Sequence, residues 1–372
     1  MKKSLSTLVL LVILVISGCN PAEVPGVDRA LAQDEHGYLG MQWILHINDY
    51  LPNRLPFSDR ELESAEWIRQ TLLEMGFDEN QVEVQTFSYY DETSSWWCAD
   101  TSSRLMRTYE LLGYYAGLER LVYSQNIILT IPGYSAKTII IGAHYDSVGN
   151  PGISDNAGGI ALLLENAYRM RDIDHYYTLQ YVFFGAEEIG LIGAFYFTDQ
   201  MSQDEIDNLV LMINADVLMD GPELIYAVAY FDELPLFPNN LLNAGYVLSH
   251  GITPLHNSLT SEIDQIASRV NRQYNTELIS LPHGIRLASD QLAFLQFGIP
   301  VLVFYGSHPV DHPELAPDEA LITDIFIGDV LHSERDCLDF IMENHPGRIE
   351  RALNQFGVFL EEIVSYEFVL SD

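Results

Sequence analysis

The sequence predicts an α/β fold in which a mostly parallel or mixed central β-sheet is flanked by helices on both faces. Apolar, β-prone runs, typical of buried strands, alternate with stretches of helical periodicity along most of the chain. Parallel strands need long crossover connections, usually helices, which cover both faces of the sheet. At 372 residues the chain is long enough to form one large domain of this class.

The first predicted elements are two helices and a strand. Helical periodicity runs through about 38–51 and 59–75, where Ser58 or Asp59 is placed to cap the second helix and Gly76 to end it. Residues 82–90 alternate as a strand does, whereas 91–120 match neither period. Later strands are predicted at 126–131, 138–143, 179–184, 209–216 and 299–305, with the turn 132–137, a helix at 158–170 and two amphipathic helices within 334–364.

The N-terminal residues 1–19 differ from the rest of the chain. Lys2 and Lys3 precede an apolar run at 8–16 that is too short to span a membrane comfortably. The run ends in Ile-Ser-Gly-Cys, and small residues before Cys19 resemble a bacterial lipobox, in which the cysteine is acylated. This pattern predicts a lipoprotein-type signal segment and an exported protein anchored to the cell envelope of a bacterium, with ordinary secretion as the alternative.

The remaining chain is predicted to consist of a tether and one domain. Residues 20–35, which contain prolines and a glycine, are interpreted as the tether, and 36–372 as a single α/β domain. Residues 222–285 break the alternation of strands and helices and are predicted to be an insertion over one rim. In an oxidising compartment Cys98 and Cys337 would be free to pair.

The charge of the chain restricts its partners. With 18 basic and 53 acidic residues the formal net charge is −35, and such a polyanion is repelled by nucleic acid and by anionic lipid. We therefore expect no nucleic-acid partner, and membrane contact only through a lipidated Cys19.

Polar side chains follow the apolar strands, where open α/β sheets place their ligands. Taken alone, each of these side chains has an ordinary structural explanation, since adjacent glutamates are usually solvated and an acid before a helix is usually a cap. Together they predict a metal site. The candidates are His144, Asp146, Asp155, Glu187, Glu188, Asp216, His308 and His312.

Imidazoles combined with carboxylates suit zinc. A set of three carboxylates and a bridging hydroxide carries four negative charges, which balance two Zn²⁺ ions, and Asp155 at a helix start is the natural bridge. A metal depresses the basicity of its own ligand, so one glutamate of the pair Glu187 and Glu188 is expected to bind the ion while the other moves protons. Asp146 is expected to hold the second ring nitrogen of His144. The predicted ligands are His144, Asp155, Glu188, Asp216 and His312.

The blocks "GAHYDSVG", "SDNAGGIALLLE", "FFGAEEIGLIGA" and "INADVLMDG" resemble, in order, those of the co-catalytic dizinc aminopeptidases, relatives of bacterial leucine aminopeptidases. The resemblance implies that His144 and Asp216 bind one zinc, that Glu188 and His312 bind the other, and that Asp155 bridges. It implies Glu187 as general base and Asp146 as a residue that supports the metal ligands from behind. "SHPVDHPELAPDEA" keeps the family's His-Pro-x-x-His spacing, which favours His312 over His308. The implied activity is hydrolysis of N-terminal residues from peptides through a metal-bridging hydroxide.

Two alternatives remain open. Glutaminyl cyclases with a single zinc resemble this family and also carry a "HYDS" block, paired acids and a late histidine. A binding ectodomain on the same fold would have lost metal ligands, whereas all five predicted positions hold competent residues. Two zinc ions per chain with release of amino acids would support the peptidase, and one zinc with formation of pyroglutamate would support the cyclase.

The lipobox prediction is tested by metabolic labelling with a fatty-acid tracer. We expect the wild-type protein to be labelled and membrane-bound, and Cys19→Ala to lose the label and the membrane fraction, because the acyl chains provide the anchor. A Cys19→Ala protein that stays equally membrane-bound would refute lipidation at this residue.

Overall fold

Eight β-strands form one sheet in the computed structural model, which describes residues 35–89, 122–229, 258–281, 289–307 and 329–369. In chain order the strands are β1 Val82–Tyr89, β2 Val122–Ile131, β3 Thr138–His144, β4 Thr178–Phe184, β5 Leu209–Ala215, β6 Glu223–Ala229, β7 Leu278–Ser280 and β8 Val301–Ser307. Their order across the sheet is β1-β2-β4-β3-β5-β8-β6-β7.

The four central strands β4, β3, β5 and β8 are parallel to one another, and antiparallel pairs flank them. The predicted mixed α/β sheet is thus confirmed. Strands β2 and β3, which the turn at 132–137 joins, are not neighbours, because β4 lies between them and pairs with both. The connection therefore skips one position in the sheet.

Helices cover the sheet on both sides. They are α1 Tyr38–Tyr50, α2 Asp59–Glu74, α3 Gly158–Met170, α4 Ile192–Gln200, α5 Gln203–Asn208, α6 Ser258–Tyr274, α7 Gln291–Leu295, α8 Leu338–Asn344 and α9 Arg348–Val364. The Ser58 hydroxyl accepts a hydrogen bond from the amide of Glu61 and caps α2, as predicted. Gly76 follows this helix at φ 98°, a left-handed conformation that favours glycine.

Two apolar clusters, one on each face, hold the layers together. Side chains alternate along a strand, so Ile139 and Ile141 of β3 point into the cluster under α1, α3 and α9, while Ile140 points into the other, beside Phe197 and Phe294. A strand buried on both faces needs this unbroken apolar run. Both faces of the central strands are therefore fixed, and with them the positions of the residues at the strand ends.

Parts of the predicted organisation fall outside the described residues. These are the signal segment, nearly all of the tether, and Cys98, so the pairing of Cys98 with Cys337 stays a prediction. The described part of 222–285 contributes β6, α6 and β7, and thereby extends the sheet; that the stretch is an insertion stays a prediction. Among the described residues, no helix combines the length and the apolar character that crossing a membrane requires.

The packing of α9 on the sheet yields a stability prediction. Phe356 is fully buried, and its ring stacks on that of Phe304 at a centroid distance of 5.1 Å. Phe356→Ala is expected to lower the free energy of unfolding by about 3–5 kcal/mol, measured by denaturant titration, because it leaves a cavity in the core. Phe297→Ala, at a ring that is 39% exposed, is the control and should cost less than about 1 kcal/mol. Equal losses in the two variants would contradict this account of the core.

Candidate metal centre

Three neighbouring parallel strands deliver polar residues to one edge of the sheet. His144 is the last residue of β3, Asp216 directly follows β5, and Glu187 and Glu188 follow β4. Because these strands are parallel and adjacent, their carboxyl ends meet at the same edge. The residues are far apart in the chain, and the topology of the sheet brings them together, as predicted.

His144 lies between two carboxylates. Its Nε2 is 3.1 Å from Oδ1 of Asp155 and 3.2 Å from Oδ1 of Asp216, and all three side chains are nearly inaccessible to solvent. The backbone amide of Asp216 donates to the carbonyl of Phe304 in β8, which ties this carboxylate to the sheet. One imidazole and two carboxylates therefore surround one small volume.

Asp155 also belongs to a second group of side chains. Its other oxygen, Oδ2, is 3.1 Å from Nε2 of His332, and the same nitrogen is 3.1 Å from Oε2 of Glu188. Within each group the donor atoms lie within 4.8 Å of one another. The two groups, His144-Asp155-Asp216 and Asp155-Glu188-His332, therefore share Asp155, which directs one oxygen into each.

The histidine of the second group differs from the one chosen from sequence. His312 and the weaker candidate His308 lie outside the described residues, and the imidazole that meets Glu188 and Asp155 is that of His332. Sequence reasoning missed His332 because its neighbourhood carries no spacing motif comparable to His-Pro-x-x-His. A local signal is the acid four residues later, Asp336, whose contact is described below.

Asp155 lies in an irregular turn, Ile153–Ala157, that leads into α3. The turn starts after Gly152, which has φ 61° in the left-handed region, and a Cβ there would lie 2.5 Å from the carbonyl oxygen of Asp155. The side chain of Asn156 closes the turn, since its Oδ1 accepts from the amide of Gly159 and its Nδ2 donates to the carbonyl of Ala215 in β5. The peptide bond between Asp155 and Asn156 is cis.

Two buried carboxylates hold the turn that carries Glu187 and Glu188. The amides of these residues donate to the two oxygens of Asp146, each over 3.1 Å, and the amide of Ala186 donates to Oε1 of Glu61 over 2.8 Å. Ala186 has φ 54°, a conformation that side chains other than glycine rarely adopt, so it needs such support. Three consecutive backbone amides are thus hydrogen-bonded to buried carboxylates. Because the backbone of the turn is held in place, the directions in which both glutamate side chains leave it are fixed as well.

Asp146 therefore has a role that sequence reasoning did not assign. Its Oδ1 is 3.5 Å from Nδ1 of His144, longer than an ordinary hydrogen bond, while both oxygens bind the glutamate turn. That Asp146 orients the imidazole stays a prediction. Glu61, on α2, was also missed, because only the tertiary approach of that helix brings it to the turn.

The carboxylates raise one another's pKa values. Burial raises the pKa of Glu187 well above its usual value, and the charges of Glu188 and Asp290 add to the rise. Burial likewise raises the pKa of Glu188 to about 7, with the charge of Asp155 adding to it. Oε1 of Glu188 and both carboxylate oxygens of Asp290 are buried without a hydrogen-bond partner among the described residues. The site thus has an excess of acceptors.

The histidines compensate part of this negative charge. Burial lowers the pKa of His144, but the charges of Glu187 and Asp216 outweigh burial and raise it well above the usual value. His332 behaves in the same way, since Glu188 and Asp155 outweigh the effect of its burial. Burial opposes the ionisation of Asp155, but hydrogen bonds from both imidazoles prevail and lower its pKa. The cluster therefore favours cations strongly, and its oxygen and nitrogen donors are those that zinc takes.

A buried arginine adjoins the cluster without neutralising it. Arg54 is inaccessible to solvent, and its guanidinium donates to the carbonyls of Tyr145, Leu51, Pro151 and Gly152. Burial lowers its pKa to about 10, so the group stays cationic at pH 7. These carbonyl contacts fix the loop that follows His144.

Comparisons with known proteins identify a family for this chain. The model of "Peptidase family M28" matches residues 126–357, more than half of the chain. The "Probable lipoprotein aminopeptidase LpqL" of Mycobacterium tuberculosis is 38% identical over 98 residues, which are 26% of this chain. That match spans only 20% of the relative's own length.

Two solved structures share the fold over nearly the whole chain. The zinc aminopeptidase BSAP of Bacillus subtilis has a TM-score of 0.62 at 16% identity, covering 89% of this chain and 95% of that one. The glutaminyl cyclase of Porphyromonas gingivalis has a TM-score of 0.59 at 16% identity, covering 89% and 99%. At such low identity these similarities establish the α/β fold alone.

A comparison of two histidine variants tests the geometry. Since His332 contacts both Asp155 and Glu188, His332→Ala is expected to lower the ratio of bound zinc to protein. His312→Ala should keep the wild-type ratio, measured by elemental analysis after dialysis against buffered zinc. Loss of zinc in His312→Ala with full retention in His332→Ala would restore the choice made from sequence.

Proposed function

The chain belongs to peptidase family M28, and we propose that it is a zinc-dependent exopeptidase that removes N-terminal residues from peptides. The observation that carries the proposal is the pair of side-chain groups that share Asp155. The resemblance of the sequence blocks to dizinc aminopeptidases, together with the zinc aminopeptidase fold, supports the same reaction.

We assign two zinc ions to this centre. One would be held by His144 and Asp216, the other by Glu188 and His332, with one oxygen of Asp155 directed to each. The three carboxylates contribute three negative charges to a nearly dry site, and a single dication would leave one of them uncompensated. His332 takes the place that sequence reasoning gave to His312.

In the proposed reaction the chain positions the groups that move protons. When bound, the two zinc ions supply a water of lowered pKa and polarise the carbonyl of the scissile amide. The carboxylate of Glu187 takes a proton from the attacking water and passes it to the departing amine nitrogen. Asp146 and Glu61 keep Glu187 in place through the backbone of its turn.

A glutaminyl cyclase is the second candidate, favoured by the fold shared with the Porphyromonas enzyme. The paired groups around Asp155 favour the peptidase, since a cyclase that works with one zinc has no use for the second. A binding protein without catalysis is disfavoured, because the described ligand set holds competent residues throughout.

We further propose that the protein is exported and anchored to the bacterial cell envelope through Cys19. The lipobox-like end of the N-terminal segment supports this location, as does the similarity to a protein named a lipoprotein aminopeptidase.

The role of Glu187 is tested by Glu187→Gln. The variant is expected to bind zinc at the wild-type ratio and to lose about 100-fold or more in kcat, since it removes the proton carrier and leaves the ligands unchanged. Glu74→Gln, at an exposed position of α2, is the matched control and should keep full activity. A near-native kcat for Glu187→Gln would remove this residue from the mechanism.

The substrate class is tested by a panel of peptides measured together with the metal content. We expect two zinc ions per chain, release of free N-terminal amino acids, and no cleavage of the same peptides after N-acetylation. Full rates on the blocked peptides would contradict an aminopeptidase and leave a zinc hydrolase. One zinc with formation of pyroglutamate would instead identify a cyclase.

A further inference from the structure

The three segments that carry Asp155, Asp216 and His332 are hydrogen-bonded to one another. We call residues 329–337 the histidine segment. The carboxylate of Asp220, after β5, accepts from the amides of Val330 and Leu331 in this segment, over 3.0 and 2.8 Å. The hydroxyl of Ser154 accepts from the amide of Met219 over 3.1 Å. Two of the three pairs of segments are thus joined directly by hydrogen bonds that do not involve a metal ion.

Asp336 completes this ring. Its carboxylate is fully buried and accepts from two consecutive amides, that of Ser154 over 2.7 Å and that of Asp155 over 3.0 Å. His332, four residues earlier in the same segment, contacts Oδ2 of Asp155. The histidine segment therefore contacts Asp155 twice: Asp336 accepts from its backbone amide, and His332 contacts its side-chain carboxylate.

The other end of the turn is held by the opposite charge. Arg54 donates to the carbonyls of Pro151 and Gly152, which lie shortly before the two residues whose amides donate to Asp336. A cation on the carbonyls and an anion on the amides fix the path of the backbone between them. Of these two groups, Asp336 is the one that binds the amide of Asp155 itself.

We propose that Asp336 is a positioning residue for the metal centre, which holds Asp155 with one carboxylate oxygen directed to each zinc site. The inference rests on the proposed zinc centre and deepens it. Rotation of the Asp155 backbone would move both oxygens at once, so the loss of Asp336 weakens the binding of both ions. An Asn side chain has the same shape, but it offers one acceptor oxygen where the carboxylate offers two.

A matched control separates positioning from mere stability. Glu165, on α3, is also a buried carboxylate that accepts two backbone amides, those of Gly37 and Gly40, each over 2.7 Å. It contacts no residue of the proposed centre in the described structure. Glu165→Gln therefore removes the same kind of interaction at a place where it has no bearing on zinc.

The experiment compares wild type, Asp336→Asn and Glu165→Gln as full-length proteins. Zinc affinity is measured on the metal-free proteins by competition with a chromophoric chelator, and thermal unfolding of the metal-free forms is followed by circular dichroism. Asp336→Asn is expected to bind both zinc ions about 10–100-fold more weakly. Glu165→Gln is expected to lose thermal stability while keeping the wild-type zinc affinity.

Asp336→Glu decides the question if Asp336→Asn fails to fold. It keeps the charge but places the carboxylate one methylene further from the backbone, so zinc affinity should fall by less than in a folded Asn variant and still be measurably weaker than wild type. Wild-type affinity in the folded Asp336 variants, or an equal loss in Glu165→Gln, would overturn the inference and leave the proposed function intact. A wild-type protein that binds no zinc would overturn both.

Discussion

The structure depends on the compensation of many carboxylates that are buried together at one edge of the sheet. An uncompensated buried charge is costly, so each of these groups needs a cation or a set of hydrogen-bond donors. The structure supplies imidazoles at the proposed metal centre and pairs of backbone amides, and the charge of Arg54 adds an attraction without a hydrogen bond to these carboxylates. The carboxylates concerned are Glu61, Asp146, Asp155, Glu187, Glu188, Asp216, Asp220, Asp290 and Asp336.

Pairing a carboxylate with backbone amides has a structural consequence that pairing with a cationic side chain lacks. An amide belongs to the main chain, so its hydrogen bond fixes a loop path as well as a charge. Asp146 and Asp336 each bind two consecutive amides from a distant segment, and each of those segments carries a proposed zinc ligand. The loops at the strand ends are thus held in place before any ion binds, which reduces the entropy lost when an ion does bind.

Much of this arrangement could be predicted from the sequence, for identifiable reasons. The central strands are buried on both faces and therefore carry long apolar runs, so polar residues such as His144 and Asp216 mark the strand ends clearly. His332, Glu61 and Asp336 could not be found in this way, because they follow no strand and act through contacts between remote segments. The position of β4 between β2 and β3 could not be predicted either, because a short connection between two strands does not show whether those strands pair with each other.

The scarcity of lysine favours metal binding at this edge of the sheet. The chain has only Lys2, Lys3 and Lys137, and a mobile ammonium group beside the carboxylates would compete with a metal ion for them. Arg54 is a buried cation near these carboxylates, but its guanidinium donates to four backbone carbonyls. Because the guanidinium is planar and rigid, these hydrogen bonds fix its position. Its charge still interacts with those of Asp336, Asp146, Asp155 and Glu188. Because the guanidinium of Arg54 is engaged by backbone carbonyls, the charge that remains at the described carboxylates is balanced best by ions taken from solution.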